Sequence, residues 1–252
     1  MSQSKSVQNI VAIIQARMGS TRLPGKVMMN LAGSPMLQRC VNRVNRSKMV
    51  NKTVIATTDN KEDDIIEQFC ISNNWFYYRG SVHDLLDRYY QSAVKHNADV
   101  IVRITSDCPF IDPEIIDLIV KELIENYPSL DFVSNCIGKY TFPRGLDVEV
   151  MTFTALQRAW KEDKNLAWRE HVTPYIYFNQ HKFRCKNIAY DADLSEMRWT
   201  VDTKEDFLFA KKIYNYFGHD LFSWQEVIKL LKKNPHWKLI NKYVNQKTLN
   251  GV

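Results

Sequence analysis

The sequence predicts an α/β protein built on an open, doubly wound sheet of parallel strands with helices on both faces. Three observations lead there. Short runs rich in β-branched residues alternate with segments of helical period. Their order, strand then helix four times over before a fifth strand, is the one that right-handed crossovers wind into such a sheet. Finally, the first apolar run breaks without pause into a loop of glycines and cations, and ligands of open α/β sheets gather where strands end.

The first strand is IVAIIQ, residues 10–15, apolar on both faces and so buried by composition. Further strands are predicted at 53–57, 76–78, 100–104 and 132–134, with helices between them at 36–45, 61–73, 82–97 and 113–125. From Cys136 the rhythm changes to a strand at 147–151, a helix at 154–162, an aromatic stretch at 171–178 and a strand at 183–188. Residues 136–190 therefore predict a small lobe over the sheet edge or a dimerisation arm, inside one domain spanning 1–252. A last strand at 198–201 leads into a helix at 204–217. The basic tail after Phe222 predicts one helix followed by frayed chain, with 233–252 as the tail proper.

Composition narrows the class. A chain of 252 residues with 45% hydrophobic and 25% charged residues is neither disordered nor fibrous. The formal charge is +6, from 34 Lys and Arg against 28 Asp and Glu, and the cations are scattered except near the C-terminal end. That suits a phosphate-bearing small molecule as well as nucleic acid. Five widely spaced cysteines argue against a disulfide framework. The start MSQSKSVQN lacks the marks of a signal peptide, and no run approaches the roughly 20 apolar residues of a membrane helix. The expectation is a cytoplasmic protein without a membrane partner.

The opening loop, residues 16–26, carries Arg17, Arg22 and Lys26, with Gly19 and Gly25 allowing close backbone approach. Such a loop can cradle a polyphosphate, or it can be a basic surface loop without a ligand. It is not a P-loop, because five residues rather than four separate Gly19 from Gly25 and Val27 follows Lys26. The G-x-G-x-x-G dinucleotide signature is absent as well.

A triphosphate usually brings Mg²⁺, which takes one or two carboxylates. Asp107 follows a strand in TSDCPF, and Asp202 follows RWTV, 95 positions later, so only a fold can bring them together. Asp107 also suits a turn before Cys108-Pro109, and D-T-K-E-D favours an N-cap over a metal ligand for Asp202. In FPRGLDVEV, Asp147 and Glu149 share one face of an extended strand after the turn that holds Arg144. They can bind sugar hydroxyls or a cation, or simply face water. WREHVTPYIY gathers rings with Arg169, which can pair an acceptor carboxylate, and His171, which is not assigned as a base. Cys108 has no histidine partner in view and predicts a buried side chain, not a nucleophile.

Taken together, IIQARMGSTRLPGKV, ATTDNKEDD, RITSDCPFIDP, FPRGLDVEV, REHVTPY and RWTVDTKEDF resemble the nucleotidyltransferase family that includes spore coat polysaccharide biosynthesis protein F. More distantly, they resemble the cytidylyltransferases that activate acylneuraminate and 3-deoxy-manno-octulosonate. The resemblance implies a Rossmann-like, GT-A-like nucleotidyltransferase sheet, CTP as substrate, Mg²⁺ as cofactor, a homodimer and no nucleic-acid partner. It implies nucleotide contacts at Gln15, Ala16, Arg17, Gly19, Ser20, Arg22, Lys26, Thr58, Arg103 and Ser106, of which Arg17, Arg22 and Lys26 act on the phosphates. It makes Asp107 and Asp202 the metal pair, overriding the cap reading. The acceptor, an acidic sugar or phosphorylated small molecule, falls to Arg144, Asp147, Glu149, Arg169 and His171. Where the octulosonate enzymes usually carry G-D-E-P, this chain has Ser106-Asp107-Cys108-Pro109. The rivals are a nucleotide-sugar-dependent glycosyltransferase and a non-catalytic nucleotide- or RNA-binding protein suggested by Lys229, Lys232, Lys233, Lys238, Lys242 and Lys247.

Overall fold

The structure, a computed structural model, describes residues 9–246. Residues 1–8, on which the signal-peptide reading rests, and Lys247 of the basic tail lie outside the described residues. In chain order come β1 (Ile10–Gln15), a small hairpin of β2 (Asn30–Leu31) and β3 (Ser34–Pro35), α1 (Met36–Val44), β4 (Lys52–Thr58) and α2 (Asp64–Ser72). Next are β5 (Phe76–Gly80), α3 (Leu85–Lys95), β6 (Val100–Thr105), α4 (Pro113–Glu125), β7 (Phe132–Ser134) and β8 (Glu149–Thr152). The chain continues with α5 (Phe153–Glu162), α6 (Leu166–Arg169), α7 (Pro174–Phe178), β9 (Cys185–Asn187), α8 (Lys204–Phe217) and α9 (Trp224–Lys233). Among the described residues no helix is long and apolar enough to cross a membrane.

Seven strands make one sheet in the order β5-β4-β1-β6-β8-β7-β9. Pairing is parallel except where β8 runs antiparallel to both β6 and β7. The composition of β1 explains its central place. Ala12 and Ile14 face one core layer, built with α1, α4 and α8, while Val11 and Ile13 face the other, built with α3 and α5. A strand wetted on neither face has no polar alternation to show. α4 begins where Asp112 accepts the Glu114 N–H at 3.0 Å and Pro113 takes a first-turn place that needs no donor.

The structure corrects three expectations. Residues 149–152 are not part of a lobe outside the sheet; they are an interior strand, because Val150 and Met151 are fully buried and close the gap between β6 and β7. Residues 198–201 form no strand beyond a single bridge from Arg198 to Arg144. Their backbone groups are held by loops instead: Trp199 N–H and Thr200 N–H donate to Arg144 O, and Val201 N–H donates to Asp107 O at 2.8 Å. The chain beyond α9 is tied down as far as residue 246, not frayed. Asn241 Nδ2 bonds Arg198 O and Asp206 Oδ1, each at 2.9 Å, and Gln246 accepts from Arg198.

One buried cation links these layers. Arg43 on α1 is fully buried, pairs with Asp112 at 3.5 Å, and donates to the carbonyls of Ile111, Asp220 and Phe222 at 2.6, 2.7 and 2.9 Å. Removing it takes the counter-charge from buried Asp112 and the guanidinium donors from the carbonyls of Ile111 and Phe222, while Asp220 O keeps Arg46. Arg43→Ala should therefore lose about 3–5 kcal/mol of unfolding free energy in a urea titration, against less than about 1 kcal/mol for the exposed pair partner Lys121→Ala.

Candidate active site

The loop after β1 is suspended between two acidic anchors. On the β4 side, Met18 N–H donates to Asp63 Oδ1 at 2.6 Å, and the buried Thr58 hydroxyl donates to the other oxygen of Asp63. Gly19 lies beside the carboxylate end of Glu62, whose Oε1 would stand 2.8 Å from a Cβ there. Gly25 turns the loop at φ +70°, a left-handed conformation that disfavours side chains, and its N–H closes on Met18 O at 2.9 Å. That turn delivers Lys26 to the second anchor.

Lys26 is nearly buried, and its ammonium meets three acceptors: Asp107 Oδ2 at 2.8 Å, Asp202 Oδ1 at 2.9 Å and Val201 O at 2.8 Å. The aspartates that are 95 positions apart in sequence thus share one cation. Asp202 is further held by Arg22 and by Arg198, each at 2.8 Å from Oδ2, and Arg198 in turn grips Asp206 at 2.9 Å. Burial alone would draw the ammonium's pKa down, but Asp107 and Asp202 outweigh it and hold Lys26 above its ordinary value. For Asp107, burial pushes upward and the Lys26 pair, with its hydrogen bond, wins in the other direction. The cap reading of Asp202 falls here, since Thr203 is the N-cap of α8 in a reciprocal box with Asp206.

Gly145 bolts the acceptor-side turn to this cluster. It sits at φ +102°, where a Cβ would come within 2.6 Å of Thr200 N and 2.8 Å of Trp199 C. Arg144 N–H reaches Met197 O at 2.9 Å, so the turn and the segment carrying Asp202 move together. Asp147 lies just before β8 rather than on it, which removes the shared strand face with Glu149. It is half-buried, and burial raises its carboxyl to about 6, with Gly145 N–H opposing and the charges of Glu149 and Asp107 adding to the rise. Glu149 is committed elsewhere: Arg103 donates to one oxygen and Thr173 Oγ1 to the other at 2.6 Å.

The remaining candidates divide. Ala16 and Ser106 are buried and fix the strand ends through Ala56 O and Gln15 O, while the Gln15 side chain accepts from Tyr89 Oη at 3.2 Å. Ser20 N–H closes the loop on Met18 O at 2.8 Å, and Arg17 is exposed with no hydrogen bond or ion pair among the described residues. Arg144 lies over the Tyr140 ring at 4.5 Å, and the imidazole of His171 is held below its ordinary pKa by burial and by Arg103. Arg169 serves a fold role: Asp84 at 2.7 Å and the carbonyls of Trp160 and Asp163 at 3.0 Å take its donors. Cys108 is buried, as expected, and burial pushes its thiol well above the usual range. Sequence reasoning missed Arg198 and Asp63. The signal for Arg198 was its place four residues before Asp202, and for Asp63 the acidic run after β4.

The profile of the cytidylyltransferase family matches residues 11–245. The chain belongs to that family. Among its relatives is the spore coat polysaccharide biosynthesis protein SpsF of Bacillus subtilis, 35% identical over 239 residues, covering 91% of this chain and 96% of the relative. A solved cytidylyltransferase from Leptospira borgpetersenii superposes with a TM-score of 0.88 at 36% identity, covering 95% of this chain and 99% of that one. A CMP-2-keto-3-deoxy-manno-octonic acid synthetase solved with CTP shares the fold at a TM-score of 0.64 and 16% identity, covering 83% of this cytidylyltransferase chain and all of that one.

Two tests follow from this geometry. Gly145→Ala should cost about 1–3 kcal/mol in thermal or urea unfolding, because it forces a side chain into a left-handed turn against the Asp202 segment. The second concerns pH. Asp147 has a folded pKa near 6 against an ordinary 3.8, so the unfolded chain releases its proton first and stability falls as pH rises through that window. Asp147→Asn removes this loss: it should be more stable than the parent at pH 8, by at most about 3 kcal/mol, with the gap closing below pH 4.

Proposed function

We propose that this protein is an Mg²⁺-dependent nucleotidyltransferase that moves cytidylyl from CTP to an acidic sugar or phosphorylated small molecule. An acceptor oxygen attacks the α-phosphorus in line, the bond from that phosphorus to the bridging oxygen breaks, and pyrophosphate leaves with that oxygen. The product is a CMP- or CDP-linked compound. The observation that carries the reading is the meeting of Lys26, Asp107 and Asp202 beneath a loop that also holds Arg17 and Arg22.

The donor set fits Mg²⁺. Two hard carboxylates lie within 3 Å of the Lys26 ammonium, Asp107 Oδ1 accepts from the Cys108 thiol at a long 3.7 Å, and Mg²⁺ needs one or two such ligands. Among the described residues no group of three or more His, Cys, Asp or Glu forms a closed metal cage, which suits an ion that completes its shell with phosphate oxygens and water. Bound there by Asp107 and Asp202, the ion would neutralise phosphate charge and bring the nucleotide's oxygens into register. The chain's own part is positional and electrostatic. Lys26 and Arg22 follow the developing negative charge on the phosphates, and the anchored loop holds them without reorganisation at the moment of transfer. Arg144, Asp147 and His171 form the acceptor side, with Asp147 taking the proton of an attacking hydroxyl. Glu149 contributes by holding Arg103.

The relatives support the setting: SpsF bears the name of a spore coat polysaccharide protein, which suits activation of a building block for a surface polysaccharide or glycoconjugate. A homodimer belongs to this reading, resting on the family resemblance and on the exposed Leu166 and Phe178 of the middle segment.

Pyrophosphate release from CTP, with Mg²⁺ and a panel of sugar acids and phosphorylated small molecules, tests the proposal. One acceptor should release pyrophosphate stoichiometrically with a CMP- or CDP-linked product, whereas release of free nucleoside diphosphate from a nucleotide sugar would make the protein a glycosyltransferase. Lys26→Ala should lower turnover on the order of 100- to 1,000-fold. Release at the parental rate in that variant would remove Lys26 from the phosphates.

A further inference from the structure

We infer that Arg88 joins Arg17 in a two-arginine seat for the terminal phosphates of the nucleotide, the part that departs as pyrophosphate. The inference deepens the function proposed above and rests on its choice of a nucleoside triphosphate. Arg88 projects from the second turn of α3 and is only 3% exposed. Among the described residues its one hydrogen bond is a long one, Nη1 to Ser81 O at 3.5 Å, and Nε is buried without a partner. No carboxylate comes within ion-pair distance of it among the described residues.

That isolation sets it apart within this chain. The other buried arginines each hold an aspartate: Arg39 holds Asp220, Arg43 holds Asp112, and Arg198 holds Asp206. The charge of Arg17, a second guanidinium with no hydrogen bond or ion pair among the described residues, bears on Arg88. Burial, with the like charge of Arg17, draws Arg88 down to about 10, although the charges of Tyr89, Asp63 and Asp59 act the other way. Asp63 makes no ion pair with either arginine among the described residues; its oxygens accept from Met18 N–H and the Thr58 hydroxyl. Asp59 stands exposed.

The place of the pair matches the missing charge. Gly80 ends β5, and a Cβ there would be 2.9 Å from the Tyr78 ring and 3.4 Å from Arg88 Cγ, so the glycine leaves room for the arginine stem at the carboxyl end of the sheet. Arg17 enters from the end of β1. Arg88 therefore stands at the β5 end of the site, and Lys26 with Asp107 at its β6 end. A neutral ligand edge would give hydrogen bonds yet leave both guanidinium groups without an ion pair. A polyphosphate supplies both the charge and the oxygens that planar guanidinium forks bind.

The test uses the full chain and two probes, CTP and inorganic tripolyphosphate, with binding measured by calorimetry on the parent, Arg88→Met and Arg88→Lys. The Met variant should lose at least about tenfold in affinity for both probes, by similar factors, as removal of a charge-assisted pair entails. The Lys variant should recover part of that loss, and the melting temperature of the Met variant should not fall, because a buried charge without a partner has been replaced by a neutral side chain of similar length. Weaker CTP binding with unchanged tripolyphosphate binding would assign Arg88 to the nucleoside and overturn the inference. So would a parent that does not bind tripolyphosphate, or a Met variant that melts below it. A parent that binds tripolyphosphate through Arg88 yet yields no pyrophosphate from CTP would leave the seat standing and remove the transferase reading.

Discussion

One buried ammonium organises this molecule. Lys26 reaches two carboxylates and a carbonyl from two separate stretches of chain, and each of those stretches is held in turn by the contacts that present it. An isolated lysine at that depth would be driven toward its neutral form. Two aspartates reverse the tendency, and the result is a charged, rigid cluster at the carboxyl end of the sheet. The cost of bringing two acids together is met by the lysine, by Arg22 and by Arg198.

The rest of the fold can be understood as what holds that cluster open to a ligand. β1 is buried on both faces, so its end is fixed and the loop begins from a rigid point. Asp63 pins the first half of the loop and Gly25 turns the second half inward. Across the sheet, Gly145 packs its bare Cα on Thr200, so the turn that carries Arg144 and Asp147 sits directly on the segment that carries Asp202. Nucleotide-side and acceptor-side groups are therefore mechanically linked. In a reaction that depends on alignment more than on covalent assistance, that linkage is the chain's main contribution.

Much of this was legible in the residues alone. β1, β7, α4 and α8 fall where composition and period place them, because long apolar runs and strong caps leave little choice. The loop's cations were visible as a spacing, and Asp107 and Asp202 as acids following strand-like runs. What stayed hidden depends on distance through space. Asp202 had a local explanation as a cap, and only the fold shows that Thr203 does that work while Asp202 turns to Lys26. Residues 198–201 have strand-like composition, yet their hydrogen bonds go to loops. Arg169 and Glu149 look available in sequence and are occupied in space, whereas Arg88, set in an ordinary helical pattern, is buried with no ion pair among the described residues.

The central claim is that Asp107 and Asp202 act as one unit across a single cation site. A double-mutant cycle on pyrophosphate release from CTP, using Asp107→Asn, Asp202→Asn and the double variant, addresses it directly. The account predicts strong non-additivity, with each single change costing nearly as much as both together. Losses that multiply independently would show that the two carboxylates serve separate purposes, and the shared site would have to be abandoned.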